Sequence, residues 1–127
     1  MDLKAGDIIY VYCNFVRPTP DYKYVICICP IYPYFFLINS EPRRKTPDAQ
    51  IKIEKGNDFP FLTHTSYINT ATICTIYPNE INKATFKGLL PTHIKSEIIK
   101  VVMGCRYLST NQKLLVETNF NSPNVVG

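Results

Sequence analysis

The residues of this chain best suited to contact a ligand form a short basic loop. Arg43, Arg44 and Lys45 are consecutive cations between Pro42 and Pro47, at the densest positive charge in the sequence. Adjacent cations on such a loop can contact phosphates without disturbing a neighbouring strand. The pattern therefore predicts contact with a nucleic-acid backbone, although a solvated loop that only keeps the protein soluble has the same composition.

Aromatic residues before this loop offer a second way to contact a nucleic acid. Tyr32, Tyr34 and Phe35 would stack on nucleobases if their rings faced solvent. Burial in the core is the better supported interpretation of these rings, because large apolar side chains are mostly buried in folded proteins.

Metal sites and covalent catalysis have little support in the sequence. Five cysteines and two histidines are present, without a Cys-x-x-Cys pair, so zinc lacks a credible ligand set. Cys27 and Cys29 alternate on one predicted strand, with Cys13 as a potential neighbour, which is typical of buried, reduced thiols. The sequence also lacks a Gly-x-Ser-x-Gly motif and a phosphate-binding glycine loop. We therefore expect neither a bound metal nor a cofactor.

The bulk composition is that of one folded, mildly basic domain. The 127 residues are 46% hydrophobic and 19% charged with a net charge of +4, which suits a polyanionic partner without requiring one. Ten prolines against five glycines, among many Tyr, Ile and Thr residues, favour short strands joined by stiff turns. The sequence shows neither a signal-peptide pattern nor an apolar run of membrane length. We therefore expect a soluble, cytoplasmic protein without membrane contact.

Apolar and alternating runs predict a series of short strands. The predicted strands are 8–15, 22–29, 34–39, 50–54 and 67–77. Residues 79–86 are predicted to form either a short helix or an irregular link, and residues 114–116 a small edge strand. The domain is expected to span 1–117, followed by a polar tail at 118–127.

A helix is predicted after the last long strand. Thr92 is a suitable N-cap and Gly104 a suitable end. An apolar stripe at helical spacing lies between them, formed by Ile94, Ile98, Ile99, Val102 and Met103.

Two motifs bracket these elements. Residues 6–9 (Gly-Asp-Ile-Ile) open the first strand, and residues 88–91 (Gly-Leu-Leu-Pro) precede the helix. In this order the elements resemble the MazF/PemK/Kid-like toxins of toxin–antitoxin modules. The resemblance implies a mainly β fold, an SH3-like antiparallel β-barrel with a C-terminal α-helix. It also implies a homodimer that cleaves single-stranded RNA without a metal and is restrained by an antitoxin.

The positions that match the family's active site differ from it in part. Lys23 stands where the family usually has Arg-Pro, and Ser40 where it has a strand-end Thr or Ser. Thr63, His64 and Thr65 stand where some members have Arg-x-Asp. Lysine offers a point charge in place of a bidentate guanidinium. His64 can exchange a proton near neutral pH in place of the acidic residue.

The resemblance thus implies a catalytic group of Lys23, Ser40 and His64. Lys23 would stabilise the phosphorane charge, His64 would shuttle a proton and Ser40 would position the phosphate, with the RNA 2′-hydroxyl as nucleophile. The simpler interpretation is a solvated lysine, a loop cap and a turn residue. The residues expected to contact RNA are Arg17, Arg43, Arg44, Lys45, Thr63 and Thr65.

Two functions of different classes are consistent with these features. The first is an RNA-directed toxin, a metal-independent endoribonuclease acting on single-stranded RNA, with an antitoxin or other protein partner. The second is a catalytically silent SH3-like barrel that binds a protein or nucleic acid, as an inhibitor or regulator from a phage or other mobile element.

Overall fold

The computed structural model describes residues 2–121, and this part of the chain is a six-stranded sheet with three helices. The strands are β1 (Asp7–Cys13), β2 (Asp21–Cys29), β3 (Tyr34–Asn39), β4 (Gln50–Ile53), β5 (Ser66–Thr75) and β6 (Thr85–Leu89). The helices are α1 (Pro78–Lys83), α2 (Thr92–Gly104) and α3 (Thr110–Asn121). None of these helices is long and apolar enough to cross a membrane.

The sheet is antiparallel and curled into a half-barrel. Its strand order is β4-β5-β3-β2-β1-β6, so β4 and β6 are the edge strands. Register shifts interrupt β1 after Ile8, β2 after Cys27 and β3 after Phe35, and such irregularities increase the bend of a strand. The expectation of a mainly β fold is confirmed.

Alternation along the strands divides the core between the two faces of the sheet. Ile8, Ile26 and Phe36 lie on one side, in a cluster with buried residues of α2 and α3, which we call the helical face. Val25 and Phe35 lie on the other side, in a cluster that includes α1, which we call the reverse face. Because successive residues of a strand point to opposite faces, this assignment extends to the polar residues of the same strands.

The helix predicted after residue 91 is confirmed as α2. Three residues of the predicted stripe, Ile94, Ile98 and Val102, are buried as their spacing indicated. Ile99 is half-buried, and Met103 is exposed, so the buried stripe is narrower than predicted. The link at 79–86 contains the short helix α1, and then enters β6, an edge strand that the sequence did not suggest.

The edge strand expected at 114–116 is wrong, because these residues belong to α3. Val116 and Phe120 are four residues apart on this helix and both are buried in the helical-face core. The helix therefore passes residue 117, where the polar tail was expected to begin, and continues to Asn121. Asn119 anchors it by donating from Nδ2 to the Ile28 carbonyl oxygen at 2.9 Å. The rest of the expected tail, 122–127, lies outside the described residues.

Candidate nucleic-acid interface

A groove on the reverse face is lined by three cations, and we call it the cation groove. Arg17, Lys23 and Arg43 border a space of about 380 Å³ together with the amide side chains of Asn39 and Asn69. The remaining lining residues are Phe15, Val16, Leu37, Thr72 and Cys74. The cations come from three segments: the loop after β1, strand β2 and the loop after β3. Positive charges that are distant in sequence therefore meet at one concave surface.

Two of these cations lower the pKa values of neighbouring thiols, against the effect of burial. Burial raises the pKa of the Cys13 thiol to about 12, and the Lys23 ammonium opposes this rise. Burial likewise raises the pKa of the Cys74 thiol to about 11, opposed by the Arg43 guanidinium. Because both thiols lie on the reverse face, Lys23 and Arg43 extend over that face. All five cysteines are free.

One side chain that lines the cation groove contains an unsatisfied donor. The Asn39 Nδ2 atom is buried and has no hydrogen-bond partner among the described residues. Buried amide groups are normally paired, but a ligand in the groove would reach this atom only after the side chain moved.

The rim of the groove is held by a contact within the basic loop. The Arg43 backbone amide donates to Gln50 Oε1 at 2.8 Å, which ties the loop to β4. Asp21 lies on the same side of β2 as Lys23, two residues earlier, but it is exposed and is not part of the lining. Its Oδ1 atom accepts a hydrogen bond from the Tyr22 amide at 2.8 Å. The lining of the groove is therefore cationic without an interior carboxylate.

A second, smaller pocket lies on the helical face at the same end of the sheet, and we call it the hydroxyl pocket. It has a volume of about 170 Å³. Its lining residues are Tyr10, Tyr22, Lys23, Tyr24, Ile38, Ser40, Leu62, Thr63, His64 and Ser66. Most of its polar atoms are hydroxyl groups, which can both donate and accept hydrogen bonds.

Short contacts order the segment that closes the hydroxyl pocket. The Thr63 Oγ1 and His64 Nδ1 atoms are hydrogen-bonded at 2.9 Å. Ser66 donates from Oγ to the His64 carbonyl oxygen at 3.2 Å, and Tyr24 donates from its hydroxyl to the Phe61 carbonyl oxygen at 3.5 Å. Two of these hydrogen bonds order the segment internally, and the third joins it to β2.

The expected catalytic residues all border the hydroxyl pocket, and one of them also borders the cation groove. Ser40 and His64 line the hydroxyl pocket. Lys23 borders both sites, but it alternates with Tyr22 and Tyr24, whose rings belong to the helical face. Alternation starts its side chain on the reverse face, yet Lys23 also contributes to the lining of the pocket that holds Ser40 and His64. All three residues therefore border one pocket, and their catalytic roles stay predictions.

The residues expected to contact RNA are divided between the two sites and other positions. Arg17 and Arg43 line the cation groove, and Thr63 lines the hydroxyl pocket. Arg44 and Lys45 are exposed beside the groove in sequence without lining it. The half-buried Thr65 lines neither site.

The three aromatic residues considered for base stacking, Tyr32, Tyr34 and Phe35, do not line the cation groove. Phe35 is fully buried, so burial was the correct interpretation for this ring. Tyr32 is exposed and stacks on Tyr34 with ring centroids 5.0 Å apart, away from the cation groove. Sequence reasoning did not select Tyr10 and Tyr22, although the spacing of two residues in Tyr10/Tyr12 and in Tyr22/Tyr24 was a signal that each pair shares one face.

No arrangement of three or more His, Cys, Asp or Glu side chains within 2–121 could hold a metal ion. Comparison with known proteins adds no relative: no family model matches the chain, and no curated protein matches it in sequence.

Proposed function

We propose that this protein binds single-stranded RNA through the cation groove. The observation that carries the proposal is the convergence of Arg17, Lys23 and Arg43 on one concave surface. Guanidinium groups bind phosphate oxygens in a bidentate manner, and lysine adds a point charge. The side chains of Asn39 and Asn69 add amide groups to the lining. This set of donors matches a chain of phosphates.

The shape of the sheet around residues 21–24 favours binding of single-stranded RNA over a duplex. Pairing of β2 with β3 stops at Val25 and Leu37, so residues 21–24 pair with β1 alone. The cation groove and the hydroxyl pocket meet at this end, since Lys23 borders both. A ligand that occupied both would have to bend around the strand end. Single strands bend in this way, whereas a duplex is too stiff and keeps its bases paired.

Binding of a short, unstructured, fluorescently labelled RNA tests this proposal. The groove variant is Arg17→Gln/Lys23→Gln/Arg43→Gln. Its matched control is Lys52→Gln/Lys55→Gln/Lys100→Gln, which removes the same charge at exposed positions outside the groove. We expect about a tenfold or larger loss of affinity in the groove variant and a much smaller loss in the control. Equal losses in both variants would overturn the proposal.

Metal-independent cleavage of the RNA is a second candidate function. The observation that favours it is His64, hydrogen-bonded to Thr63 and placed beside Ser40 and tyrosine hydroxyls. A histidine so placed can exchange a proton with the RNA 2′-hydroxyl, while neighbouring hydroxyls stabilise the phosphorane. Cleavage should then persist in a chelator, leave a cyclic phosphate and fail on RNA with a 2′-deoxy sugar at the cut. His64→Gln should slow it about a hundredfold.

RNA binding without cleavage would instead favour the catalytically silent module. On the resemblance alone, we further propose that the curled sheet is an SH3-like barrel, that the chain forms a homodimer and that an antitoxin or other protein partner restrains it. Light scattering on the purified protein tests the dimer, and a single monomeric mass across concentrations would contradict it.

A further inference from the structure

An unbroken series of aromatic rings runs along the helical face into the hydroxyl pocket. Tyr10 stacks on Tyr22 at a centroid distance of 5.4 Å with 22° between the ring planes. Tyr10 also contacts Tyr24 at 4.8 Å. The series continues from Tyr22 to Tyr12 at 5.5 Å and from Tyr24 to Phe61 at 4.6 Å.

The strand register explains this series. Tyr10 is paired with Tyr24, and Tyr12 with Tyr22, so all four rings stand on the same face of β1 and β2. Cross-strand aromatic pairs stabilise a sheet, and this role is sufficient for the ring of Tyr24, which packs on Phe61. It is not sufficient for Tyr22, which contacts Tyr10 and Tyr12 and yet is 52% exposed beside a pocket.

The hydroxyl pocket has the form that a flat, polar-edged ring requires. Tyrosine rings form one wall, and Ile38 and Leu62 supply apolar contacts. Ser40, Thr63, His64 and Ser66 supply the polar groups. The hydrogen bond between Thr63 Oγ1 and His64 Nδ1 leaves the other imidazole nitrogen, Nε2, for a ligand.

We propose that the hydroxyl pocket binds one unpaired nucleobase, stacked on Tyr22 and hydrogen-bonded at its edge by Ser40, Thr63 and His64. Such sites combine an aromatic face with groups that read the base edge. The inference rests on the proposed function, since the cation groove holds the neighbouring phosphates. Lys23, which borders both sites, marks the point where the RNA backbone crosses the end of β2.

Substitution of Tyr22 tests the stacking. Tyr22→Ala should weaken binding of the labelled RNA about fivefold to a hundredfold. Tyr22→Phe, which retains the ring, should bind like the wild type. The salt dependence of binding should be the same in all three proteins, because no phosphate contact is lost. Wild-type affinity in Tyr22→Ala, or an equal loss in Tyr22→Phe, would overturn the inference.

An abasic scan of the same RNA locates the base. At one position, removal of the base should weaken binding to the wild type about as much as Tyr22→Ala does. Removal of the same base should not weaken binding to Tyr22→Ala any further, because both changes remove the same contact. A scan in which no abasic position matters more to the wild type than to Tyr22→Ala would overturn the inference.

Titration with uncharged nucleosides separates this inference from the proposed function. Nucleosides lack phosphate, so they should shift the NMR signals of Tyr22 and His64 in the wild type and in the groove variant alike. If nucleosides shift the Tyr22 signals but RNA affinity does not depend on the groove cations, the base pocket is supported and the phosphate groove is refuted. RNA affinity that depends on the groove, with no shift at Tyr22, would refute the base pocket alone.

Discussion

Lys23 shows how a single position determines what the site can do. It lies between Tyr22 and Tyr24 on a strand that pairs with β1 in unbroken register from Asp21 to Ile26. A strand starts adjacent side chains on opposite faces, so the rings of the tyrosines lie on the helical face while Lys23 starts on the reverse face. Lys23 borders the cation groove with Arg17 and Arg43, and it also borders the hydroxyl pocket with the tyrosines. We therefore propose that phosphate contact and base contact meet at this residue.

Asp7 gives a pH-dependent prediction at the residue scale. The residue is 6% exposed, and its carboxyl group accepts a hydrogen bond from the Lys4 amide at 2.8 Å. Burial raises the pKa of this carboxyl above its ordinary value of 3.8, against the lowering effect of Lys4 and Lys95. The folded state therefore favours the protonated form, so Asp7 stabilises the fold below pH 3.8 and loses this contribution as the pH rises through the raised pKa.

Asp7→Asn should remove the loss of stability that ionisation of the buried carboxyl group causes, because asparagine stays neutral. Its Oδ1 atom can still accept the hydrogen bond from the Lys4 amide. The free energy of unfolding of the variant, relative to the wild type, should increase from pH 3.5 to neutral pH. Urea unfolding at a series of pH values measures this difference. A difference that stays constant or decreases over this range would show that the Asp7 carboxyl group is not destabilised by burial in the fold.

Helix α3 gives the prediction at the scale of elements. Phe120 is 4% exposed in the helical-face core, while Leu114 on the same helix is 48% exposed. Phe120→Ala should lower the free energy of unfolding by about 3–5 kcal/mol, because a buried aromatic ring leaves a cavity. Leu114→Ala should change it by about 0.5 kcal/mol or less. Similar effects of the two substitutions in urea unfolding would mean that α3 does not belong to the core.

The elements that the sequence predicted well are those in which apolar residues follow a recognisable strand or helix pattern. The third strand was predicted with its observed bounds, Tyr34–Asn39, and α2 was predicted from its apolar stripe. Helix α3 was missed because Leu114, Leu115 and Val116 are consecutive, which hides the spacing of its two buried residues. Strand β6 was missed because Phe86 and Leu89 are exposed, so pairing with β1 alone defines it. Long-range contacts of this kind leave little local signal.

The candidate site was only partly predictable for the same reason. Charge and position identified Arg17 and Arg43, whereas Ser40 and His64 were suggested by the resemblance to the toxin family. Their separation into two sites depends on how β2 and β3 diverge after Val25 and Leu37, which is a property of the curled sheet.

At the scale of the whole molecule, the cations proposed to bind RNA are concentrated at one end of a half-barrel. The net charge of +4 is modest, so diffuse attraction to RNA should be weak at physiological salt, where charges more than about 8 Å apart are screened. Specific placement of the cations, and not the total charge, should therefore decide RNA affinity.

The salt dependence of RNA binding tests this central claim most directly. Each phosphate contact to a single strand contributes about 0.7 to the slope of log K against log salt. Replacing Arg17, Lys23 and Arg43 by Gln should therefore flatten the slope by about 2, taking 0.7 for each lost contact. The control with Lys52, Lys55 and Lys100 replaced should keep the wild-type slope. An unchanged slope in the groove variant, or an equal flattening in the control, would contradict the account.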